Sequence, residues 1–446
     1  MANRKRKRTG GRNELLIAFY VIVIAIIIAI VALIENALRP NGNQDDQSDI
    51  PNSISSSVSS VVSEPEFQET TATVLSTGDI MVHSTQLDGA KVSDDKYDFS
   101  AFFKEAAPYF KKADLSVANL EVTFGSRQSG PYSGFPAFNT PDCLADVIKA
   151  SGLNLLITSN NHSYDTGLFG LKRTAQVLKE KGIEFTGTKE NADEPSYIVK
   201  EINNINIGVI NYTYETTGAN SSGKKYLNGM LLKDEANALV NSFNYNHLNT
   251  FYSEAEGKVK AMKNDGAEFV VFYIHWGNEY QLTPNTYQKS IAQKLCNMGV
   301  DIIIGSHPHV VQPVELLHSE DGQNTTVCLY STGNAVSNQR QELMDSCPSG
   351  HTEDGVFFQF TLRKTKDGVI LDDLDLIPTW VNKYPGGSGY QYTIYPLENK
   401  NDGSAKYSLA STYANKAARS YDRTKAIVAA GLTECQQHIG CDITFK

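Results

Sequence analysis

From residue 71 onward, short apolar runs alternate with amphipathic stretches, and Gly, Asn and Pro residues separate them. A short apolar run is typical of a buried strand, whereas apolar residues three or four positions apart are typical of a helix that covers a core. The pattern predicts strands over residues 72–77, 115–119, 153–158, 184–186, 268–275, 300–304 and 326–330. It predicts helices over residues 99–111, 141–150, 167–181, 252–265, 286–298 and 408–430.

Two further segments indicate antiparallel pairing. Residues 196–212 predict a hairpin that turns at Asn203-Asn204, and residues 356–374 alternate like a hairpin around Lys366-Asp367-Gly368. Parallel strand–helix–strand units followed by antiparallel strands predict an α/β fold, either with one mixed sheet or with two sheets that have helices outside. Residues 213–249 are rich in Asn, Ser and Gly, and we expect an insertion there whose structure the pattern does not reveal.

The N-terminal pattern differs because residues 15–34 are twenty apolar residues without a charge. At about 1.5 Å per residue, a helix of this length spans about 30 Å, the thickness of a bilayer core. The nearby basic residues all precede it, so the positive-inside rule places residues 1–14 in the cytosol and the rest outside. We therefore predict a single-pass cell-membrane protein with a cytoplasmic basic segment, 1–14, and a transmembrane anchor, 15–34. A cleaved signal peptide is the alternative, and it would also export the remaining chain.

Residues 35–70 are polar and lack apolar periodicity, which predicts a disordered linker. It would tether an extracellular domain, residues 71–446, close to the membrane. All six cysteines lie in this domain, where disulfides can form. Cys435 and Cys441 are the easiest pair by proximity, but buried free thiols are the alternative, and the spacing does not decide between them.

The net charge of the domain restricts the classes of partner that we expect it to bind. Of the formal net charge of −10, residues 1–12 contribute +6, which leaves −16 for residues 13–446. An acidic body repels nucleic acid and other polyanions unless bound cations invert the local field. We therefore expect no nucleic-acid partner, and an anionic polymer only together with a cation.

Histidines and carboxylates follow the apolar runs directly, in several distant parts of the chain. In an α/β protein the carboxyl ends of the strands converge on one edge of the sheet, where ligands bind. Imidazoles and carboxylates gathered at such an edge are typical of a divalent metal site. The residues in these positions are Asp79, His83, Asn119, Glu121, Asn160, Asn161, His162, His275, His307 and His309.

Most of these residues also have a structural interpretation. Asp79 would fit the cap of a following helix, Asp165 fits a cap or a turn, and His275 fits a core histidine. The pair His307 and His309 is stronger evidence, because side chains two positions apart in an extended turn point the same way. The shared position of all these groups at strand ends favours one common site.

Six sequence motifs occur along the chain in this order: GDIMVH (78–83), VANLE (117–121), SNNHSYDTG (159–167), IHWGNEY (274–280), GSHPHVVQP (305–313) and YSTGNAVS (330–337). They resemble the CapA family of bacterial capsule and poly-γ-glutamate synthesis proteins, over about residues 72–335. That family resembles calcineurin-like metallophosphoesterases in turn. The resemblance implies a metallophosphatase-like layered sandwich.

The resemblance also implies roles for individual residues, with Glu121 standing where an Asp normally bridges two metals. The implied metal ligands are Asp79, Glu121, Asn161, His275, His307 and His309. The implied catalytic residues are His162, as the acid or orienting histidine, and His83. We expect the substrate to contact Asn119, Asn160, Trp276, Glu279 and Asn334.

The leading hypothesis is a membrane-anchored extracellular protein of capsule or poly-γ-glutamate biosynthesis. In it, one or two divalent metals (Zn, Mn or Fe) would support hydrolysis or transfer on an anionic surface polymer. One alternative is a non-catalytic polymer-binding or export subunit that docks with other membrane subunits. Another is a cell-wall amidase that uses the same residues.

Overall fold

We describe a computed structural model of the chain, which covers residues 67–216 and 223–445. The predicted basic segment 1–14, the anchor 15–34 and most of the linker 35–70 lie outside the described residues, so these remain predictions. Residues 66–446 form one compact unit. Within the part of the chain described, no helix has the length and apolar character needed to cross a membrane.

Nineteen strands are present in the described residues. They are β1 (Thr70–Ile80), β2 (Lys91–Ser93), β3 (Lys96–Tyr97), β4 (Leu115–Leu120), β5 (Leu155–Ile157), β6 (Glu184–Thr186), β7 (Tyr197–Ile202), β8 (Ile205–Tyr214), β9 (Tyr226–Leu227), β10 (Met230–Leu231), β11 (Ser242–Phe243), β12 (Phe269–His275), β13 (Ile302–Ser306), β14 (Val314–His318), β15 (Thr325–Leu329), β16 (Asn334–Val336), β17 (Asp354–Thr365), β18 (Gly368–Gly386) and β19 (Gly389–Pro396).

The α-helices of the same residues are α1 (Ser84–Ala90), α2 (Ser100–Phe103), α3 (Ala107–Lys112), α4 (Cys143–Ser151), α5 (Gly167–Glu180), α6 (Leu248–Asn264), α7 (Thr286–Asn297), α8 (Asp402–Ala405) and α9 (Ser411–Ile439). Short 3-10 helices lie at Arg127–Ser129, Asp234–Ala238, Tyr245–His247, Gln341–Leu343 and His351–Glu353.

Two mixed sheets form the centre of the domain. The first has the order β19–β18–β17–β1–β4–β5–β6, with β16 paired to the end of β1. Its strands β1, β4, β5, β6 and β16 run parallel, whereas β17, β18 and β19 are antiparallel. The second sheet has the order β11–β8–β12–β13–β15–β14, with β7 paired to β8. It is parallel apart from β7 and β14.

Three apolar layers hold the sheets and helices together. Side chains such as Val74 of the first sheet and Ile207 of the second form an inner core between the sheets. A buried hydrogen bond of 2.7 Å between Ser76 Oγ and Tyr273 OH also joins the two sheets. Helices α1 to α5 cover the outer face of the first sheet, and α6 and α7 cover that of the second. This arrangement confirms the predicted α/β layered sandwich of mixed sheets flanked by helices.

Helix boundaries differ from the predictions where side chains find other partners. The predicted helix 141–150 begins at Cys143 rather than Pro141, and the Asp142 carboxylate binds Arg173 through two hydrogen bonds of 2.6 and 2.7 Å. The C-terminal helix runs to Ile439 instead of residue 430. It continues because its apolar face remains inside the inner core as far as Cys435.

The insertion at 213–249 has a structure that the sequence pattern did not reveal. Its described residues form the hairpin of β9 and β10, two 3-10 helices and β11. Leu227, Leu232 and Leu239 from this segment pack with Tyr164 in a small separate core. The insertion therefore lies against the loop that carries His162.

The sequence does not decide between disulfides and free thiols, and the structure contains no bridge. All six cysteines lie within the described residues and are free thiols. Cys435 is buried in the inner core, and burial raises the pKa of its thiol to about 12. A buried thiol of this kind behaves as a small apolar side chain.

Packing of α9 on β14 depends on the absence of a side chain at Gly431. A Cβ atom at this position would lie 1.8 Å from the carbonyl oxygen of Val314. We expect Gly431→Ala to lower the free energy of unfolding by about 2 kcal/mol or more, because overpacking moves backbone. The matched control is Gly257→Ala in α6, where a Cβ meets nothing within 4 Å.

The control should raise the free energy of unfolding by about 0.5–1 kcal/mol, since alanine has the higher helix propensity. Urea unfolding of the parent and both variants measures the two effects. Equal effects of the two substitutions would show that α9 does not pack closely on β14.

Candidate metal centre

The carboxyl ends of strands from both sheets meet at one edge of the sandwich. Asp79 is the penultimate residue of β1, and Glu121 directly follows β4. His275 is the last residue of β12, and His307 follows the end of β13. All four side chains are buried. Residues more than two hundred positions apart in sequence therefore share one site.

Two overlapping groups of side chains have the spacing of a metal site. One consists of Glu121, His307 and His309, and the other of Asp79, Glu121 and His275. Within each group the candidate ligand atoms lie within 4.8 Å of one another. Glu121 belongs to both groups, and its Oε1 lies 3.7 Å from Nε2 of His275 and 3.7 Å from Nε2 of His309. Glu121 thus occupies the centre of the cluster.

Two polar atoms in the middle of the cluster have no hydrogen-bond partner, as expected of a site that fits a cation. Oε1 of Glu121 and Nδ1 of His307 are buried without a hydrogen-bond partner. Burying a polar atom unpaired is costly, and buried charges are normally paired or bound to metals. Carboxylate oxygens and imidazole nitrogens suit Zn, Mn and Fe. The donor set fits a divalent cation and leaves the identity of the metal open.

The electrostatics of the cluster favour the neutral, metal-binding state of two of its histidines. Burial and the neighbouring histidines lower the pKa of His275 and of His307 well below the usual value. Both rings are therefore neutral and have a nitrogen lone pair available. Burial and the charge of Asp79 raise the pKa of Glu121 well above its usual range. A bound cation would offset this repulsion and favour the carboxylate.

Amide side chains hold the ligands in place. Asn119 Nδ2 donates to Asp79 Oδ1 at 2.8 Å and to Glu121 Oε2 at 3.3 Å. Asn160 Nδ2 in turn donates to Asn119 Oδ1 at 3.1 Å, and both amides are buried. Asn161 Oδ1 lies 2.8 Å from Nε2 of His275. The structure therefore places Asn161 at the cluster, and Asn119 and Asn160 beneath it rather than at an open surface.

His309 has two partners on its Nδ1 atom. This atom lies 3.2 Å from Asp79 Oδ2 and 3.1 Å from Asn334 Oδ1. Burial lowers the pKa of His309, but hydrogen bonding to Asp79 and its charge outweigh burial and raise it. Asn334 Nδ2 also donates to the carbonyl oxygens of His309 and Thr352. Asn334 is buried and orients His309.

The backbone of the histidine pair is not the extended turn that the sequence predicts. His307 has a φ of 96° and His309 a φ of 56°, both in the left-handed region that non-glycine residues rarely adopt. The backbone N–H of His307 donates to Asp79 Oδ2 at 3.3 Å. The two rings reach the same cluster, with their centroids 5.8 Å apart. Strain of this kind is common at functional sites.

A close backbone approach positions Asp79. A Cβ atom on Gly78 would lie 1.9 Å from the carbonyl oxygen of Gly333, so only glycine fits there. The N–H of Asp79 donates to that same carbonyl at 3.1 Å. The register of β1 against β4 shifts between Thr77 and Asp79. This irregularity turns the Asp79 carboxylate into the cluster.

His162 lies beside the cluster in a separate hydrogen-bonded group. Its Nδ1 lies 2.7 Å from Asp165 Oδ2, and both side chains are buried. Asp165 also accepts hydrogen bonds from the N–H of Phe138 at 2.6 Å and from Asn228 Nδ2 at 2.9 Å. Asp165 therefore orients the imidazole of His162, rather than capping a helix. Nε2 remains the ring nitrogen without a partner in this group.

His83 contacts the same aromatic ring as His162. The edge of Phe138 contacts both rings, with centroid distances of 5.4 Å to His83 and 4.8 Å to His162. Nδ1 of His83 lies 3.2 Å from Gln86 Oε1 and accepts from the N–H of Asn338. Burial lowers the pKa of His83 to about 4. The structure places His83 at the start of α1, outside both ligand groups.

The two remaining predicted residues of the IHWGNEY segment occupy opposite environments. Trp276 is fully buried in the outer core of the second sheet, where Nε1 donates to the carbonyl oxygen of Tyr330 at 2.9 Å. Its indole therefore does not line the cleft. Glu279 is exposed and lines a cavity of about 490 Å³ that reaches His307. Another cavity, of about 940 Å³, lies between α5, β6 and β7, away from the predicted site residues.

Two residues of the site were missed by sequence reasoning. Asn228 occupies the turn of the β9–β10 hairpin, with a φ of 46°. The Asn228-Gly229 pair between apolar residues is a signal for such a turn, although not for the contact with Asp165. Tyr214 ends β8, and its ring lies 4.7 Å from that of His307, tilted by 51°. A strand-end search limited to histidines and carboxylates does not find a tyrosine.

The sequence profile of one family matches this chain. The family is described as "Bacterial capsule synthesis protein PGA_cap", and the match covers residues 73–339. The chain belongs to this family. The matched region contains every residue of the cluster and both His162 and Asp165.

Individual relatives are similar over part of their length. The chain is 25% identical over 312 residues to "Capsule biosynthesis protein CapA" of Bacillus anthracis, covering 69% of this chain and 66% of the relative. It is 26% identical over 272 residues to "PGA biosynthesis protein CapA" of Bacillus subtilis (strain 168), covering 60% and 63%. The chain thus spans just under two thirds of both relatives. Among solved structures, TT1561 of Thermus thermophilus aligns with a TM-score of 0.32 and 11% identity, covering 65% of this chain and 94% of that one.

For this PGA_cap family member we expect divalent metal to stabilise the folded state. At a free metal concentration one hundred times Kd, the free energy of unfolding should rise by about 2.7 kcal/mol. Elemental analysis of the full chain, purified without affinity histidines, and unfolding with and without chelator measure the metal content and this difference.

The variant Glu121→Gln should change stability in two opposite directions. It removes the repulsion with Asp79, so the metal-free protein should be more stable than the parent, while the metal-dependent gain should be lost. His318→Ala, on an exposed histidine, should behave like the parent. A Glu121→Gln protein that retains full metal content would contradict the assignment of this centre.

Proposed function

We propose that this chain is a membrane-anchored, extracellular protein of capsule or poly-γ-glutamate biosynthesis, with a metal centre that hydrolyses or transfers a bond of a surface polymer. One observation carries the catalytic part of the proposal. Glu121 Oε1 and His307 Nδ1 are buried and unpaired inside a cluster of carboxylates and imidazoles at the edge of both sheets. A cation held by these two atoms would satisfy both of them at once.

The residues have distinct roles in this proposal. Asp79, Glu121, Asn161, His275, His307 and His309 would hold the cation. When bound, a divalent cation supplies the positive charge that polarises water and the bond under attack. His162 would hold or release a proton at Nε2, because its Nδ1 is occupied by Asp165. The carboxylate of Asp165 keeps the ring in one orientation, as in other His–Asp pairs.

The location and partners belong to the same proposal. Residues 15–34 would anchor the chain, and a polar linker would leave the domain on the outer face of the membrane. The substrate would be an anionic polymer such as poly-γ-glutamate, attracted by the bound cation despite the acidic domain. Other membrane subunits of a synthesis complex would contact the anchor.

A second function is favoured by the name of the Bacillus subtilis relative, which describes a biosynthesis protein rather than a hydrolase. In that case the cluster would bind the polymer without turnover, as part of an export complex. Because poly-γ-glutamate is joined by amide bonds, turnover of that polymer would instead make the protein an amidase. The products of one reaction distinguish these possibilities.

The test uses the full chain, metal-loaded, with γ-linked polyglutamate and with a phosphoester as substrates. We expect His162→Ala to lower kcat by about a hundredfold or more, because a general acid or base contributes at least that much. Asp165→Asn should lower kcat by about tenfold to a hundredfold while the metal content is unchanged. Mass spectrometry of the products identifies the bond that is broken.

The control His318→Ala should retain full activity, since its side chain is exposed on β14. Polymer binding by the parent without any turnover would contradict catalysis and support the export function. Unchanged kcat in His162→Ala would remove this histidine from the mechanism.

A further inference from the structure

The cavity beside the metal centre has an unusual lining for a protein that handles a polyanion. It measures about 490 Å³, and neither a lysine nor an arginine lines it within the described part of the chain. The lining includes the side chains of Tyr214, Tyr245, Tyr287, Asn278, Glu279 and His307. Aromatic faces and one carboxylate therefore surround a space that opens onto a metal-ligand candidate.

The rings form a continuous row from the cluster to the surface. Tyr214 lies 4.7 Å from His307, and Tyr245 lies 6.1 Å from Tyr214, measured between ring centroids. Tyr287 follows at 5.0 Å from Tyr245 and is 47% exposed. The N–H of Gly277 donates to the hydroxyl of Tyr245 at 2.9 Å and holds that ring in place. Such a row offers electron-rich faces along the length of the cavity.

Glu279 is the single acidic group of this lining. Among residues 67–216 and 223–445, no lysine or arginine nitrogen lies within 4.0 Å of its carboxylate. Its negative charge acts on Glu121 and on Tyr214, raising the pKa of both groups in addition to the larger effect of burial. The residue lines the cavity beside the metal centre, and the hydroxyl of Tyr280 donates a hydrogen bond to its carboxylate.

A carboxylate beside aromatic faces attracts a cation and repels an anion. Ammonium groups bind the faces of tyrosines within about 6 Å of the ring centroid, and cages of such rings recognise organic cations. Every internal unit of a γ-linked glutamate chain carries an uncompensated carboxylate, which this lining would repel. The amino terminus is the one cationic group on such a chain.

We propose that the pocket of Tyr214, Tyr245, Tyr287 and Glu279 binds a protonated amine. Resting on the proposed function, we assign that amine to the amino terminus of a γ-linked glutamate chain. The terminal unit then lies beside the metal centre, and the polymer is engaged at its end rather than along its length. Glu279 and the tyrosines select the end of the chain, and the cluster acts on it.

The experiment compares two tetramers of γ-linked glutamate, one with a free amino terminus and one that is N-acetylated. Calorimetry with the metal-loaded full chain should show the free amine binding about tenfold more tightly, the size expected for a cation on aromatic faces beside a carboxylate. In Glu279→Gln the preference should fall to about twofold or less. Glu320→Gln removes the same charge from an exposed residue outside the cavity and should leave the preference intact.

A second pair of variants tests the ring faces. Tyr287→Phe retains an aromatic face and should keep the preference, whereas Tyr287→Leu should reduce it about threefold. A hydroxyl hydrogen bond would instead make both variants equally weak. Equal binding of the two tetramers by the parent, or an unchanged preference in Glu279→Gln, would overturn the amine site.

A third probe, a simple organic cation, distinguishes failure of the amine pocket from failure of the proposed function. Tetramethylammonium should bind the parent in saturation-transfer NMR, and the signal should disappear in Glu279→Gln. If tetramethylammonium binds but neither tetramer does, the amine pocket stands and the assignment to glutamate chains fails. If the tetramers bind equally well and are turned over, the proposed function stands and the amine pocket fails. Absence of binding by all three probes overturns the inference.

Discussion

Two buried carboxylates, those of Asp79 and Glu121, impose the main constraint on this domain. Within the described residues, neither has a lysine or arginine within 4.0 Å, and histidines are their basic neighbours. Desolvating such a pair is unfavourable unless positive charge or hydrogen-bond donors offset it. Asn119 and the backbone N–H of His307 supply donors. A bound cation would offset the negative charge that these donors leave uncompensated. The two carboxylates therefore destabilise the metal-free fold and stabilise the metal-bound fold.

The scaffold is organised to meet this constraint. The carboxylates come from the first sheet, while His275 and His307 come from the second, so the centre exists only when both sheets are in register. The inner core and the Ser76–Tyr273 hydrogen bond maintain that register. Packing far from the site therefore controls distances within it. Left-handed backbone at His307 and His309 adds local strain that the core must overcome.

Much of this could be predicted from the sequence, because apolar periodicity and strand-end position are local signals. The alternating strands and helices and the gathering of Asp79, Glu121, His275 and His307 at one edge follow from them. Whether the strands form one mixed sheet or two does not. Contacts that depend on tertiary packing could not be predicted from these local signals. Asp165 looked like a capping residue, since its partner Phe138 lies in a distant loop. Trp276 looked like a cleft residue, although alternation along the chain continues past the strand and turns its ring into the outer core.

Family similarity and the folding unit have different boundaries. The matched region ends at residue 339, but β17 pairs along most of β1, the strand that carries Asp79. Helix α9 contributes Val428, Leu432 and Cys435 to the inner core, and Arg423 binds Asp354 at the start of β17 through bonds of 2.6 and 2.7 Å. A fragment trimmed to the matched region would expose the edge of β1 and open the inner core. The motifs of the metal centre and the segment that pairs with and covers their strand are thus separate stretches of sequence, and the first sheet is complete only when both are present.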